Sequence, residues 1–144
     1  MPKVTVILTS YNHEKFIAEA IESVLNQTYT DFELIILDDA STDNSWNIIK
    51  SYNDPRIRAF KNTVNKLGDF SEVFPDTVSG EYFAKHHSDD AWEPIKLEKQ
   101  VAFLDSHPEI SAVFTYVQIV DEAGEVLKKT DHPYYKVFEQ PNRS

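Results

Sequence analysis

The sequence predicts an α/β fold, a mostly parallel sheet flanked by helices, and three observations carry that prediction. Short, nearly continuous apolar runs at residues 4–8 and 32–37 suit strands buried on both faces. Segments with helical spacing alternate with them, as parallel strands joined by right-handed crossovers require. Polar segments at residues 9–12, 38–43 and 88–90 each stand just after an expected strand. Parallel strands would bring all three to one sheet edge, where ligands of open α/β sheets bind.

Each element has its own local justification. Val4-Thr5-Val6-Ile7-Leu8 is β-branched and apolar. Asn12 is placed to cap the helix that follows. Phe16, Ile17, Ala20, Ile21, Val24 and Leu25 form that helix's stripe, with Glu19 and Glu22 facing outward, and the pattern fades at Asn26-Gln27-Thr28. Residues 32–37 form the second strand. Ser41 or Thr42 can cap a helix over 44–52, which Asp54-Pro55 breaks. A short third strand covers 57–60, a loop covers 62–68, and a helix is expected over 70–78 despite Pro75. Gly80 turns the chain into a strand over 81–86. Glu93-Pro94 opens a helix, with Pro at an early position where its missing N–H does no harm. Its stripe is Leu97, Val101 and Leu104, and His107-Pro108 ends it. A long strand is expected over 111–120, then a turn at Glu122-Ala123-Gly124-Glu125 into Val126-Leu127-Lys128. Residues 131–144 carry little periodicity, so the expected division is a folded domain over 1–130 and an irregular tail over 131–144.

Composition narrows the function. With 144 residues, 41% hydrophobic and 12% aromatic, the chain suffices for one domain with one core. A net charge of -10, from 24 acidic against 14 basic residues, and the lack of any Lys/Arg cluster argue against a nucleic-acid surface. An anionic membrane surface would repel the chain as well. No cysteine is present, which excludes disulfides, thiolate zinc sites and a Cys nucleophile. No signal peptide precedes the first apolar run, and no run approaches the ~20 residues of a spanning helix. The expected setting is cytoplasmic, with any membrane association made through other parts of a longer protein.

The acidic pair Asp89-Asp90 points to a cation. Adjacent carboxylates repel and raise each other's pKa, and a divalent ion removes that cost while gripping a diphosphate. Hard oxygen ligands suit Mg2+ or Mn2+ better than zinc. His86 and His87 stand beside the pair as weaker candidates, while His13, His107 and His132 lack metal-binding spacing. The turn after the first strand has no Gly, which argues against both a dinucleotide fingerprint and a P-loop. Only Gly68, Gly80 and Gly124 are available. Asp38-Asp39 could accept bonds from a base or ribose, or merely cap a helix. Tyr11 could stack on a base or be a half-buried aromatic, and Thr9 and Ser10 could bond only their local backbone. Ser88 or Asp89 could likewise be no more than a helix cap.

Taken together, several segments resemble family 2 glycosyltransferases. Val-Thr-Val-Ile-Leu-Thr-Ser-Tyr-Asn at 4–12 resembles the family's opening strand. Ser23-Val24-Leu25-Asn26-Gln27-Thr28-Tyr29 and the stretch Phe32-Glu33-Leu34-Ile35-Ile36-Leu37-Asp38-Asp39-Ala40-Ser41-Thr42-Asp43 resemble its most recurrent segment. Gly80-Glu81-Tyr82 followed by Ser88-Asp89-Asp90 is similar to the approach to its Asp-x-Asp metal motif. The resemblance covers residues 3 to 128 and is closest to bacterial spore-coat polysaccharide enzymes. It implies a GT-A fold that binds a UDP- or TDP-sugar with Mn2+ or Mg2+ and transfers the sugar, with inversion, to a glycan acceptor in polysaccharide biosynthesis. By that resemblance Thr9 and Tyr11 line the base pocket, Asp39 meets the base with Ser41 beside it, Asp89 lies near the ribose and Asp90 near the metal and diphosphate. Two departures stand out. His87 occupies the place of the first carboxylate of the common motif, and Asn65-Lys66-Leu67-Gly68 lacks the basic residues that often follow such a loop.

No downstream Asp is placed as a catalytic base: Asp105, Asp121 and Asp131 lie too close in sequence to the donor half. The expectation is therefore a donor-binding portion of a longer enzyme. A nucleotidyltransferase and a non-catalytic nucleotide-binding module remain the alternative readings.

Overall fold

The computed structural model describes residues 1–67 and 78–127. The chain divides into two compact units, Met1–Ser111 and Ala112–Ser144. The first holds β1 (Val4–Ser10), α1 (Ile17–Leu25), β2 (Phe32–Asp38), α2 (Ser45–Ser51), β3 (Ile57–Lys61), β4 (Tyr82–His87) and α3 (Lys96–Ser106). The helix expected over 70–78 and the tail 131–144 fall on or across residues outside those described.

The four strands form one sheet in the order β3-β2-β1-β4. Every pairing is parallel, with Val4 opposite Phe32 and Tyr82, and Leu34 opposite Ile57. The two apolar runs take the middle places because only a central strand has both faces covered. Val4, Val6, Leu8, Leu34 and Ile36 share one core with Ile17, Ala20, Ile21 and Val24 of α1, Ile49 of α2, and Leu97 and Val101 of α3. The alternate residues Ile7, Ile35 and Leu37 form a second, smaller cluster with Phe60 and Val78. Each such buried aliphatic side chain contributes ~1.5–3 kcal/mol.

Polar contacts fasten both ends of this frame. At the start of the strands, the Thr5 hydroxyl and the Ser79 hydroxyl each donate to Glu33 Oε1 at 2.7 Å. Gly80 donates its N–H to Thr5 Oγ1 at 2.8 Å. A Cβ at position 80 would stand 2.5 Å from the Thr5 nitrogen, so the close approach itself demands glycine. Burial would push the Glu33 carboxyl up, but its bonds from Ser79 and Thr5, with Arg58 nearby, hold it below the ordinary value. Gln27, 4% exposed, clips α1 to the entry of α3. Its amide donates to the carbonyls of Ser23 and Glu93, and its Oε1 accepts the Leu97 N–H at 3.0 Å.

Two expected helix caps are not made. The N-cap of α1 is Phe16 and that of α2 is Asn44, neither with a side-chain cap bond. Asn12 instead sits at φ 53° and accepts the Thr42 N–H at 2.8 Å, so it joins two loops rather than capping its own helix. Ser41 accepts the Asn12 N–H at 3.0 Å. Nor does Ser88 or Asp89 cap α3, whose N-cap is Ile95.

Of the strand expected over 111–120 and its return at 126–128, one pairing lies wholly among the described residues. Among the described residues, Val120 makes one antiparallel bridge to Val126, and Leu127 donates its N–H to the Ile119 carbonyl. The turn between them is as expected, with Gly124 at φ 82° and Asp121 Oδ1 accepting the N–H groups of Ala123 and Glu125. Phe114 and Tyr116 are largely exposed. Among the described residues no helix is long and apolar enough to cross a membrane.

Candidate active site

The carboxyl ends of β1, β2 and β4 meet, because β1 pairs with both neighbours: Ser10 lies opposite Asp38, and Thr9 opposite His87. A cleft of about 360 Å³ opens there. Thr9, Ser10, Tyr11 and His13 line it from the β1 end, Asp39 from the β2 end, and His87, Ser88 and Asp89 from the β4 end, with Asn65 and Leu67 completing the wall. Its size lies in the range of small-ligand and cofactor sites.

Of the six residues singled out in the sequence, the fold thus brings Thr9, Tyr11, Asp39 and Asp89 to one wall. Tyr11 is 44% exposed, so its ring has a face open to a planar group. Asp39 is buried at 4% exposure, and its Oδ1 accepts the Asn62 amide at 2.8 Å and the Lys66 N–H at 2.9 Å. It thereby organises the loop that carries Asn65 and Leu67. Ser41 stands behind the wall, holding the Tyr11-Asn12 turn through the Asn12 N–H. Asp38 is fully buried, its Oδ1 accepting the Ser41 N–H at 2.9 Å with Lys61 Nζ 3.7 Å away. That bond ties the turn after β2 and not the start of α2, so Asp38 caps no helix. Ala40, between these two, is held at φ 63°, a left-handed conformation costing a residue with a Cβ about 1–2 kcal/mol. The hydrogen bonds of Asp38 and Asp39 on either side impose it.

The acidic loop presents Asp89 and Asp90, both exposed. Partial desolvation, then the charge of Asp89, raises the Asp90 carboxyl above the ordinary value. No group of three or more His, Asp or Glu side chains gathers into a cation cage among the described residues. Of the two neighbouring carboxylates, Asp89 lines the cleft and Asp90 stands just outside its lining. Such a pair suits an ion that takes one or two protein oxygens and completes its shell with substrate phosphates and water. His87 lies at the edge of the cleft with its Nδ1 3.5 Å from Thr9 Oγ1, while His86 is buried at 1% exposure against Trp92. His86 is a core residue and no ligand.

One participant was not foreseen: His13, which lines the cleft beside Ser88 of the expected 88–90 segment. His13 Nδ1 and Ser88 Oγ share a hydrogen bond of 2.7 Å. The signal in the sequence was only their position after strands that the topology makes adjacent.

A parallel α/β sheet with polar loops gathered at one carboxyl edge is the arrangement expected of a GT-A glycosyltransferase fold, and comparison supports that fold. The crystal structure of Staphylococcus aureus TarS 1-349 in complex with UDP superposes with a TM-score of 0.67 at 31% identity, covering 74% of this chain and 33% of that one. The model of glycosyl transferase family 2 matches residues 5–143, and the chain belongs to that family. A Bacillus subtilis (strain 168) relative named as a glycosyltransferase, EpsE, is 42% identical over 127 residues, 85% of this chain and 46% of its own length. The Escherichia coli UDP-Glc:alpha-D-GlcNAc-diphosphoundecaprenol beta-1,3-glucosyltransferase WfaP is 36% identical over 107 residues, 74% of this chain and 43% of its own. The chain thus spans about half the length of these curated relatives.

Proposed function

We propose that this chain binds the donor of a glycosyltransferase, a UDP- or TDP-sugar chelated to Mn2+ or Mg2+, for inverting transfer to a glycan acceptor in polysaccharide biosynthesis. The observation that carries the reading is the convergence of Thr9, Tyr11, Asp39 and Asp89 on one cleft at the carboxyl edge of a parallel sheet. Two similar proteins, one crystallised with UDP and one named for its use of UDP-Glc, support the nucleotide.

Each residue has a role its position suits. Tyr11 offers a ring to the base, a stacking contact worth ~1–3 kcal/mol. Asp39 offers its carboxylate to a base N–H while its other bonds keep it in place. Thr9 stands at the floor, and Ser41 braces the turn that carries Tyr11. Asp89 faces the ribose, and Asp90 with Asp89 holds the cation. The cation's chemistry is to neutralise the charge that develops on the departing diphosphate. An acidic chain with no Gly-rich phosphate cradle depends on it to receive an anionic donor.

Calorimetry with UDP, TDP and GDP, with and without Mn2+, tests the proposal. The expected result is binding that Mn2+ strengthens at least tenfold. Asp90→Asn should remove that gain while the metal-free affinity stays, and Asp89→Asn should lower both. Absence of metal-dependent heat with all three nucleotides would sink the reading.

A further inference from the structure

The two carboxylates of the acidic loop have no side-chain anchor of their own: neither Asp89 nor Asp90 makes a side-chain hydrogen bond to the described residues. Their placement depends on the residue before them. Ser88 is 2% exposed, and its N–H donates to the Thr9 carbonyl at 3.2 Å. Its hydroxyl meets His13 Nδ1 at 2.7 Å, across 75 residues of sequence. The other side-chain tie to this loop, from Thr9 to His87, is 3.5 Å long and correspondingly weak.

His13 is itself held firmly. Its backbone N–H donates to Ser45 Oγ at 3.0 Å, and Ser45, at the start of α2, is fully buried. Its ring stands edge-on to Phe16, centroids 6.2 Å apart at 82°. An unbroken chain of contacts therefore runs from the base of α2 through Ser45 and His13 to Ser88 and the paired carboxylates. We infer that His13 is a positioning residue, whose bond to Ser88 sets the acidic loop where it can share a cation with a nucleoside diphosphate. The inference rests on the donor-site reading above and adds to it the group that aims the carboxylates.

The test is the cation's contribution alone, measured as the ratio of UDP dissociation constants without and with Mn2+. Loss of one well-made buried hydrogen bond should cut that ratio by about five- to tenfold in His13→Ala and in Ser88→Ala. The double variant should lose no more than either single one. His13→Asn, whose side-chain amide reaches the place of Nδ1, should restore most of the ratio. A role in stability alone would lower the melting temperature of His13→Ala and leave the ratio intact, and that result overturns the inference. So does a double variant whose losses simply add. If His13→Ala does not fold, Ser88→Ala decides by the same ratio. Failure of the donor reading looks different, because the unsubstituted chain would then show no Mn2+-dependent UDP binding at all.

Discussion

Single residues in this molecule often serve partners far away in sequence, and that limits what a sequence reveals at this scale. Asn12, Ser41 and Thr42 are good capping residues by type, yet the bonds they make run between the β1 and β2 loops. Local rules could name them as polar turn residues but not choose their partners. His86 is a second case. Beside Asp89 and Asp90 it invites a reading as a ligand, but the alternation of β4 turns it inward against Trp92. Burial depresses its imidazole to about 4, from an ordinary 6.5. The folded protein therefore refuses a proton that the unfolded chain accepts between those values. Stability should be full above pH 6.5 and fall progressively as the pH drops toward 4, by on the order of 3 kcal/mol at most. Urea unfolding across that range measures it. His86→Leu should flatten the slope; an unchanged slope would show that His86 is not the group responsible.

Elements were far more legible than their ends. β1 and β2 lie where the two apolar runs placed them, since a run apolar on both faces has only one favourable location, the middle of a covered sheet, and the more polar β3 and β4 take its edges. Helix stripes were equally clear, because Ile17, Ala20, Ile21 and Val24 share a face whatever the neighbours do. What joins helix to helix was not legible. Gln27 reads as an ordinary polar residue at a fading helix end, yet it satisfies three backbone groups and is almost fully buried. Gln27→Ala would leave the buried Leu97 N–H without its partner, while the Glu93 carbonyl keeps the Lys96 N–H. We expect a loss of ~1–3 kcal/mol, read as a lower urea midpoint at constant slope. A change below ~0.5 kcal/mol would mean that water replaces the side chain there.

At the scale of the whole molecule the deciding quantity is charge. The chain carries -10, and the described lining of its cleft contains Asp39 and Asp89 with no Lys or Arg. A bare nucleoside diphosphate approaching that edge meets a field of its own sign, which the proposed cation would reverse locally. Ionic strength separates the two contributions. Between 0.01 M and 0.15 M salt the screening length falls from about 30 Å to about 8 Å. Affinity for UDP without divalent ions should therefore hold or improve over that range, because salt screens repulsion. A basic phosphate-tracking surface behaves in the opposite way, losing affinity steeply as salt rises. With saturating Mn2+ the repulsion is already neutralised at the site, so the salt dependence should flatten. UDP with Mn2+ at 100 times its dissociation constant should then add ~2.7 kcal/mol of stability. A metal-free affinity that falls tenfold or more with salt would show that cationic side chains, and not a chelated ion, receive the phosphates, and the metal-centred account of this cleft would be abandoned.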